Sequence, residues 1–298
     1  MKMKQTAFAA CHPAVNLLYF TLVLAFSMFF LHPFFLTASL LAAILCAVQM
    51  CGGAAVHRTA CWLAPAAALA AAVNLAFTHE GATILAYLPS GNPLTLESIT
   101  YGTASAAMLS AVVLWFSCWN AVMSSDKLMY LFGRVIPALS LMLSMTLRFV
   151  PRFQAKFREV TAARHGMGLE PRGRNWLSKL KNAAAVFSIM VTWSLENAVE
   201  TAESMKSRGY GLPGRTAFSL YRLGRRDKRL IGWLALCGAY TAAGWAAGGV
   251  RWRYYPTMRG AVTPYSTSVL LAYFLLCLTP VLLQRKEERA WSSIASND

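Results

Sequence analysis

Acidic residues are scarce in this chain: 12 Asp and Glu stand against 28 Lys and Arg in 298 residues, and only 13% of positions are charged. A soluble domain carries about 25% charged residues, so a water-facing globular protein is excluded. Charge is missing altogether between residues 13 and 51, and the other long apolar runs carry almost none. That absence argues against an ion path or proton relay inside the membrane, and so against a self-contained pump or carrier. There is no CxxC pair among the seven cysteines, which removes zinc-ribbon and redox readings. No G-x-x-x-x-G-K-[ST] phosphate loop occurs, so this chain is not expected to hydrolyse ATP. His12, His32, His57, His79 and His165 are scattered without a partner carboxylate set, and no metal site is expected.

What is present is apolar surface. Hydrophobic residues make up 57% of the chain, and the mean hydropathy is +0.45. The uncharged run 13–51 is too long for one ~30 Å crossing, and His32-Pro33 divides it into a hairpin of spans near 14–31 and 34–51. Further spans are predicted near 60–77, 103–123, 230–249 and 266–284, giving about six. The opening Met-Lys-Met-Lys run has the look of a signal peptide, but it continues past any small-x-small cleavage point. It is read as retained membrane sequence.

Charge sets the sidedness. Nineteen of the 28 basic residues lie between Lys127 and Arg229, while 79–102 contains Glu80, Glu97 and no Lys or Arg. The positive-inside rule therefore places both termini and the 124–229 insert in the cytoplasm. Arg251, Arg253 and Arg259 fall on the opposite side and go against the trend. The chain divides into an N-terminal four-helix region (1–123), the insert (124–229) and a C-terminal two-helix region (230–298). Its net charge of +16 is juxtamembrane, where anionic lipid explains it; nucleic acid is not an expected partner.

The insert has its own helical periodicity. A short helix over 126–135 precedes Pro137. Leu139, Leu143, Leu147, Val150, Phe153, Phe157 and Val160 then step by three or four, with Arg148, Arg152 and Lys156 on a neighbouring face. Pro151 is expected to kink this helix, and Gly166 and Gly168 to end it. After a linker at 169–175 with Pro171 and Gly173, a second helix over 176–208 carries Leu180, Ala184, Phe187, Val191, Leu195, Ala198, Ala202 and Met205 at the same spacing. Glu196, Glu200 and Glu203 read as a solvated face rather than a carboxylate site. Gly209-Tyr210-Gly211-Leu212-Pro213-Gly214 matches G-x-G-x-x-G by letter, but it follows a helix instead of a strand and is coincidental. Gly244 and Gly248 form a small-xxx-small pair for close helix packing.

Two segments stand out: Ala163-Arg164-His165-Gly166 and Ser207-Arg208-Gly209. Each sets an arginine between a small residue and a glycine at a helix end. Arginine in a last turn and glycine beyond it are ordinary helix stops. Their repetition on two long basic helices points to guanidiniums offered to carboxylates of another protein. Together with Leu147-Arg148-Phe149-Val150-Pro151 and Glu203-Ser204-Met205-Lys206-Ser207-Arg208-Gly209-Tyr210, they resemble the transmembrane T component of energy-coupling factor (ECF) transporters, the family that includes the CbiQ-type cobalt transport proteins. Motifs over about 126–211 carry the likeness. Departures are His165 where the first motif has glycine, and Ser204 and Ser207 in place of alanines.

The resemblance implies an all-α polytopic membrane protein, with about six transmembrane helices and two long amphipathic cytoplasmic coupling helices, in a prokaryotic cell membrane. It implies docking of two cytosolic ABC ATPase subunits through Ala163, Arg164, His165, Ser207, Arg208 and Gly209. A platform of Leu180, Ala184, Phe187, Val191 and Leu195 would hold a membrane substrate-binding S component, and Arg148 and Pro151 would act as a hinge. ATP would be bound by the partners, with no cofactor or catalytic residue in this chain. Vitamin or transition-metal uptake follows from the family. The competing reading is an interfacial enzyme acting on anionic lipid headgroups, for which the sequence offers arginines but no acid–base or nucleophile set.

Overall fold

In a computed structural model the chain is described over residues 6–78, 81–87, 93–169, 176–213, 221–260 and 263–295. It divides into two compact units, one formed by residues 1–128 with 221–298 and the other by 129–220. The starting Lys2 and Lys4, His79 and Glu80, most of the linker (170–175) and Gly214 lie outside the described residues.

Six helices build the first unit: α1 (Pro13–Phe29), α2 (Pro33–Cys51), α3 (Gly53–Phe77), α4 (Leu96–Val122), α8 (Arg225–Ala246) and α9 (Pro264–Ala295). Between them in sequence come α5 (Ser125–Val135), which runs across the division, and α6 (Pro137–Gly166) and α7 (Trp176–Ser207) of the second unit. A two-stranded antiparallel ribbon, β1 (Ile84–Tyr87) with β2 (Pro93–Thr95), joins α3 to α4. The expectation of an all-helical chain missed it.

Among the described residues four helices are long and apolar enough to cross a bilayer, namely Pro33–Cys51, Gly53–Phe77, Leu96–Val122 and Pro264–Ala290, and the chain is a multi-pass membrane protein. Two of the six expected spans fall short on length and composition. Phe30 adopts an extended conformation, and Pro33 then occupies the first turn of α2, so α1 stops after 17 residues. Helix α8 spends its first turn on Arg225, Arg226, Asp227, Lys228 and Arg229, which leaves an uncharged 230–246 about 25 Å long. Helix α3 begins at Gly53, well before the expected start near 60, and carries Arg58 inside it.

The core of this unit is aromatic. Trp115, Tyr19, Tyr273, Phe8, Phe20 and Phe35 are among its largest fully buried side chains. A hydroxyl network ties four helices together: Ser39 Oγ accepts from Trp115 Nε1 (3.1 Å) and pairs with Ser27 Oγ (2.8 Å), which pairs with the Tyr273 hydroxyl (3.1 Å). Tyr19 donates to the Cys277 carbonyl at 2.8 Å. In an apolar medium such polar side chains act as glue between helices. Glycine adds close approach. A β-carbon at Gly244 would collide with Val269 of α9, and one at Gly238 with Leu22 of α1. The expected Gly244/Gly248 packing pair is corrected: Gly248 lies beyond α8 at φ +83°, closing the helix end, and only Gly244 packs.

The segment before α1 latches one end of the unit. Ala7 N–H donates to Gln284 Oε1 of α9 (2.8 Å), and His12 N–H to Asp227 Oδ1 of α8 (3.2 Å). Lys127 at the start of α5 turns inward, only 8% exposed. Its ammonium donates to the carbonyls of Ala9 (2.6 Å) and Val122 (2.9 Å). Asn16, oriented so that both ends of its amide are satisfied, accepts from the same ammonium at 3.1 Å. Burial lowers the Lys127 pKa. Desolvation also lifts the neighbouring Cys11 thiol to about 11, against the pull of Arg226. The far end is aromatic: Tyr254 donates to the Leu31 carbonyl (2.7 Å) and packs on Tyr101, while Trp252 packs on His32.

Ser39→Ala should lower the thermal midpoint in detergent by several degrees. It strands the Trp115 N–H in the core, a cost of about 1–3 kcal/mol. Thr37→Ala, on the exposed face of the same helix, should leave the midpoint unchanged. Equal behaviour of the two variants in a melting assay would refute the network.

Candidate functional site

In the second unit α6 runs on through Pro151 and α7 returns antiparallel to it. Arg164 Nη2 and Nε both donate to Asn182 Oδ1 (2.8 and 3.2 Å). Val160 packs with Val186, Met190 and Trp193, and Phe153 meets Trp193 edge-on at 5.3 Å. The face of α7 turned to α6 is therefore Asn182, Val186, Met190 and Trp193. These residues step by four or three, but a polar start disguises the row in the sequence. The more apolar row is left outside: Leu180, Ala184, Phe187, Val191 and Leu195 are all exposed, Phe187 by 70% and Leu195 by 63%. On α6, Leu143, Leu147, Val150 and Phe157 are exposed as well.

Both helices end in the same hydrogen-bond pattern. At the end of α6, Leu169 N–H reaches back to the Arg164 carbonyl (3.1 Å), and Gly168 N–H to that of His165 (3.0 Å), with Gly168 at φ +69°. At the end of α7, Tyr210 N–H reaches the Met205 carbonyl (3.0 Å), and Gly209 N–H that of Lys206 (3.0 Å), with Gly209 at φ +78°. These are Schellman ends, closed by a glycine in the left-handed region. The sequence register between the two motifs is thereby corrected. Gly166 is an ordinary helical residue, and the closing glycine of α6 is Gly168. Arg164 sits four residues before its glycine, Arg208 immediately before its own.

The two arginines differ in consequence. Arg164 is half-buried and held by Asn182, whereas Arg208 is exposed at the tip of α7. Ala163, His165 and Ser207 are exposed around them, with Ser207 Oγ bonded to the Ser204 carbonyl (2.9 Å). The antiparallel pairing sets Arg164 beside the start of α7 and Arg208 near the start of α6. At ~1.5 Å per residue the two ends lie on the order of 35–40 Å apart.

Near the Arg208 end the helices part around a groove of about 750 Å³, lined by Arg148, Phe149 and Arg152 of α6 and by Asn197, Glu200 and Arg208 of α7, among others. Arg148, assigned to a hinge with Pro151 from the sequence, lines this groove. Glu196, Glu200 and Glu203 are exposed, and neither Glu200 nor Glu203 pairs with Lys206 or Arg208. The G-x-G-x-x-G letters lie in the turn after α7, with Gly209 and Gly211 both at positive φ; no strand precedes them. Among the described residues no three His, Cys, Asp or Glu side chains gather as a metal site. Asn182 escaped the sequence reading because one polar residue at the start of a helix carries no signal until its partner is known.

A bundle of apolar helices with an inserted basic pair of long helices defines a multi-pass membrane protein whose distinctive surface is the insert. No protein-family profile matches the chain. It is 31% identical over 94 residues to the energy-coupling factor transporter transmembrane protein EcfT of Listeria innocua, covering 31% of this chain and 36% of that one. Against EcfT of Lactococcus lactis it is 32% identical over 94 residues, 31% of this chain and 35% of the relative. An uncharacterized protein of Mycoplasma genitalium is 23% identical over 180 residues, 57% of this chain and 40% of the other. The chain thus matches about a third of the length of the EcfT proteins, and its relationship to them is distant.

The capping assignment has a direct test. Gly168→Ala and Gly209→Ala should each destabilise the protein by about 1 kcal/mol, because a β-carbon is disfavoured in the left-handed region. Gly166→Ala meets nothing within 4 Å and should be neutral, or stabilising by up to ~1 kcal/mol. A loss at Gly166 equal to that at Gly168, read from unfolding midpoints, would reverse the register.

Proposed function

We propose that this chain is the transmembrane coupling subunit of an ECF-type importer. The reading rests on one observation above the rest: two glycine-closed helix ends, each bearing an arginine, stand at opposite ends of one antiparallel pair. Two cytosolic ABC ATPase subunits can be engaged at once, one by Ala163, Arg164 and His165, the other by Ser207, Arg208 and Gly209. Acidic groups on the ATPases pair with the guanidiniums in charge-assisted hydrogen bonds. ATP binding by those subunits changes their spacing, and α6 and α7 carry that change as levers. The distant EcfT relationship supports this role.

The exposed row of Leu180, Ala184, Phe187, Val191 and Leu195 serves as the platform for a membrane substrate-binding subunit, which holds the vitamin or transition-metal cargo. Arg148 and Pro151 serve as the hinge of the lever, at the proline inside the continuous α6. In this reading the chain itself is non-catalytic. It crosses a prokaryotic cell membrane six times, α1 and α8 included. Support comes from the helix ends: α1 and α8 begin, and α4 ends, at the latch around Lys127 and Asp227, while the opposite ends of α1, α2 and α4 meet the aromatic cluster. The latch end is cytoplasmic, with both termini on that side. An interfacial enzyme is disfavoured, because the arginine groove is lined by Glu200 without any His, Cys or second carboxylate.

Arg164→Ala combined with Arg208→Ala should leave the protein inserted but detach the ATPases and abolish ATP-driven uptake. Each lost charged contact is worth roughly 1.5–3 kcal/mol. Co-purification of intact ATPases with the double variant would sink the reading. Phe187→Glu or Leu195→Glu should impair capture of the substrate-binding subunit and spare ATPase binding. Loss of ATPase binding instead would show that the two faces are exchanged.

A further inference from the structure

We propose that the groove between α6 and α7 binds the phosphate of an anionic phospholipid headgroup. Three guanidiniums, from Arg148, Arg152 and Arg208, line it against the single carboxylate of Glu200. None of these four side chains is hydrogen-bonded or ion-paired to another described residue. Elsewhere the chain pairs such groups: Arg164 with Asn182, Lys156 with Glu159 (2.9 Å), Arg226 with Glu287. Arg148 and Arg152 stand one helical turn apart, where like charges repel. An anion set between them relieves that repulsion, and the guanidinium fork matches phosphate oxygens two at a time.

Three features select a lipid over a free anion. Met145, Phe149 and Met205 give the groove an apolar floor, which suits a glycerol backbone and the start of an acyl chain. Its volume of about 750 Å³ far exceeds one phosphate ion. Met142, about one turn before Met145 on α6, is exposed and extends the apolar lining along which an acyl chain can lie. The chain is a membrane protein, and a basic insert following a membrane helix meets anionic headgroups at high local concentration. The site needs no ATPase partner to form, although it shares Arg148 and Arg208 with the proposed coupling role.

The test uses the full chain purified in detergent, titrated with short-chain phosphatidylglycerol, short-chain phosphatidylcholine and inorganic phosphate. Phosphatidylglycerol should bind saturably. Phosphatidylcholine and inorganic phosphate should neither bind nor displace it at equal concentration. Arg148→Gln with Arg152→Gln should weaken binding by at least about tenfold. Glu200→Gln removes the opposing charge and should tighten binding several-fold, a gain that misfolding does not mimic. Equal binding of phosphatidylcholine would overturn the proposal, as would displacement by inorganic phosphate at equal concentration. So would wild-type affinity in the double variant, the result expected if the arginines instead await an acidic segment of a protein, or a Glu200→Gln variant that binds no tighter.

Discussion

The insert depends on a narrow seam. Val160, Val186 and Met190 are the buried apolar residues where α6 meets α7, with Trp193 and Phe153 beside them. Burying three such side chains contributes roughly 5–9 kcal/mol at most. That suffices to hold two helices in register but leaves most of their apolar surface in the open. It also decides which row of α7 is spent and which is free. Because the seam takes Val186, Met190 and Trp193, the row through Phe187 and Leu195 stays outside. One helix therefore keeps its register and still offers a face to a partner, a division that a thicker core would forbid.

In the membrane unit the governing constraint is the absence of water. A buried polar group there gains most from a partner within the protein. Ser27, Ser39, Trp115 and Tyr273 satisfy one another at the centre of α1, α2, α4 and α9. At one end, Lys127 collects two carbonyls and the Asn16 amide, so an ammonium that the charge count assigns to solvent becomes a structural pin. Asp227 does the same for α8, taking His12 N–H at one oxygen and Gly224 N–H (3.0 Å) at the other. Sequence segments far apart thus share one layer of polar contacts, and that layer fixes where the helices begin.

Legibility in the sequence followed the kind of signal involved. Helix positions in the insert were readable because apolar steps of three and four repeat from Leu139 to Val160 and from Leu180 to Met205, and the α1/α2 break was readable from His32-Pro33. Two of the missed features depend on a distant partner. Lys127 looks like any juxtamembrane lysine until Ala9, Asn16 and Val122 surround it. The true seam on α7 begins with Asn182 and carries only three apolar residues after it, so hydropathy favours the neighbouring row. The sequence offers Gly166 and Gly168 alike as stops, and backbone conformation selects Gly168. The expected six spans met the same difficulty in reverse: hydropathy located α1 and α8, but proline and the Arg225–Arg229 charges trimmed their lengths.

The shift from Gly166 to Gly168 changes what the repeated arginine motif means. Helical side chains lean toward the N-terminus of their helix. An arginine four residues inside its closing glycine is therefore drawn back over the body of the pair, and Arg164 lands on Asn182. Arg208 stands at the cap itself, exposed, and lines the arginine groove instead of meeting a polar partner on α6. Near-identical letters thus give one guanidinium that is preset by the insert and another that is held by nothing but its own chain. A device that looks twofold in sequence is asymmetric in structure, and the asymmetry arises from three residues, His165, Gly166 and Met167, set between Arg164 and its left-handed glycine.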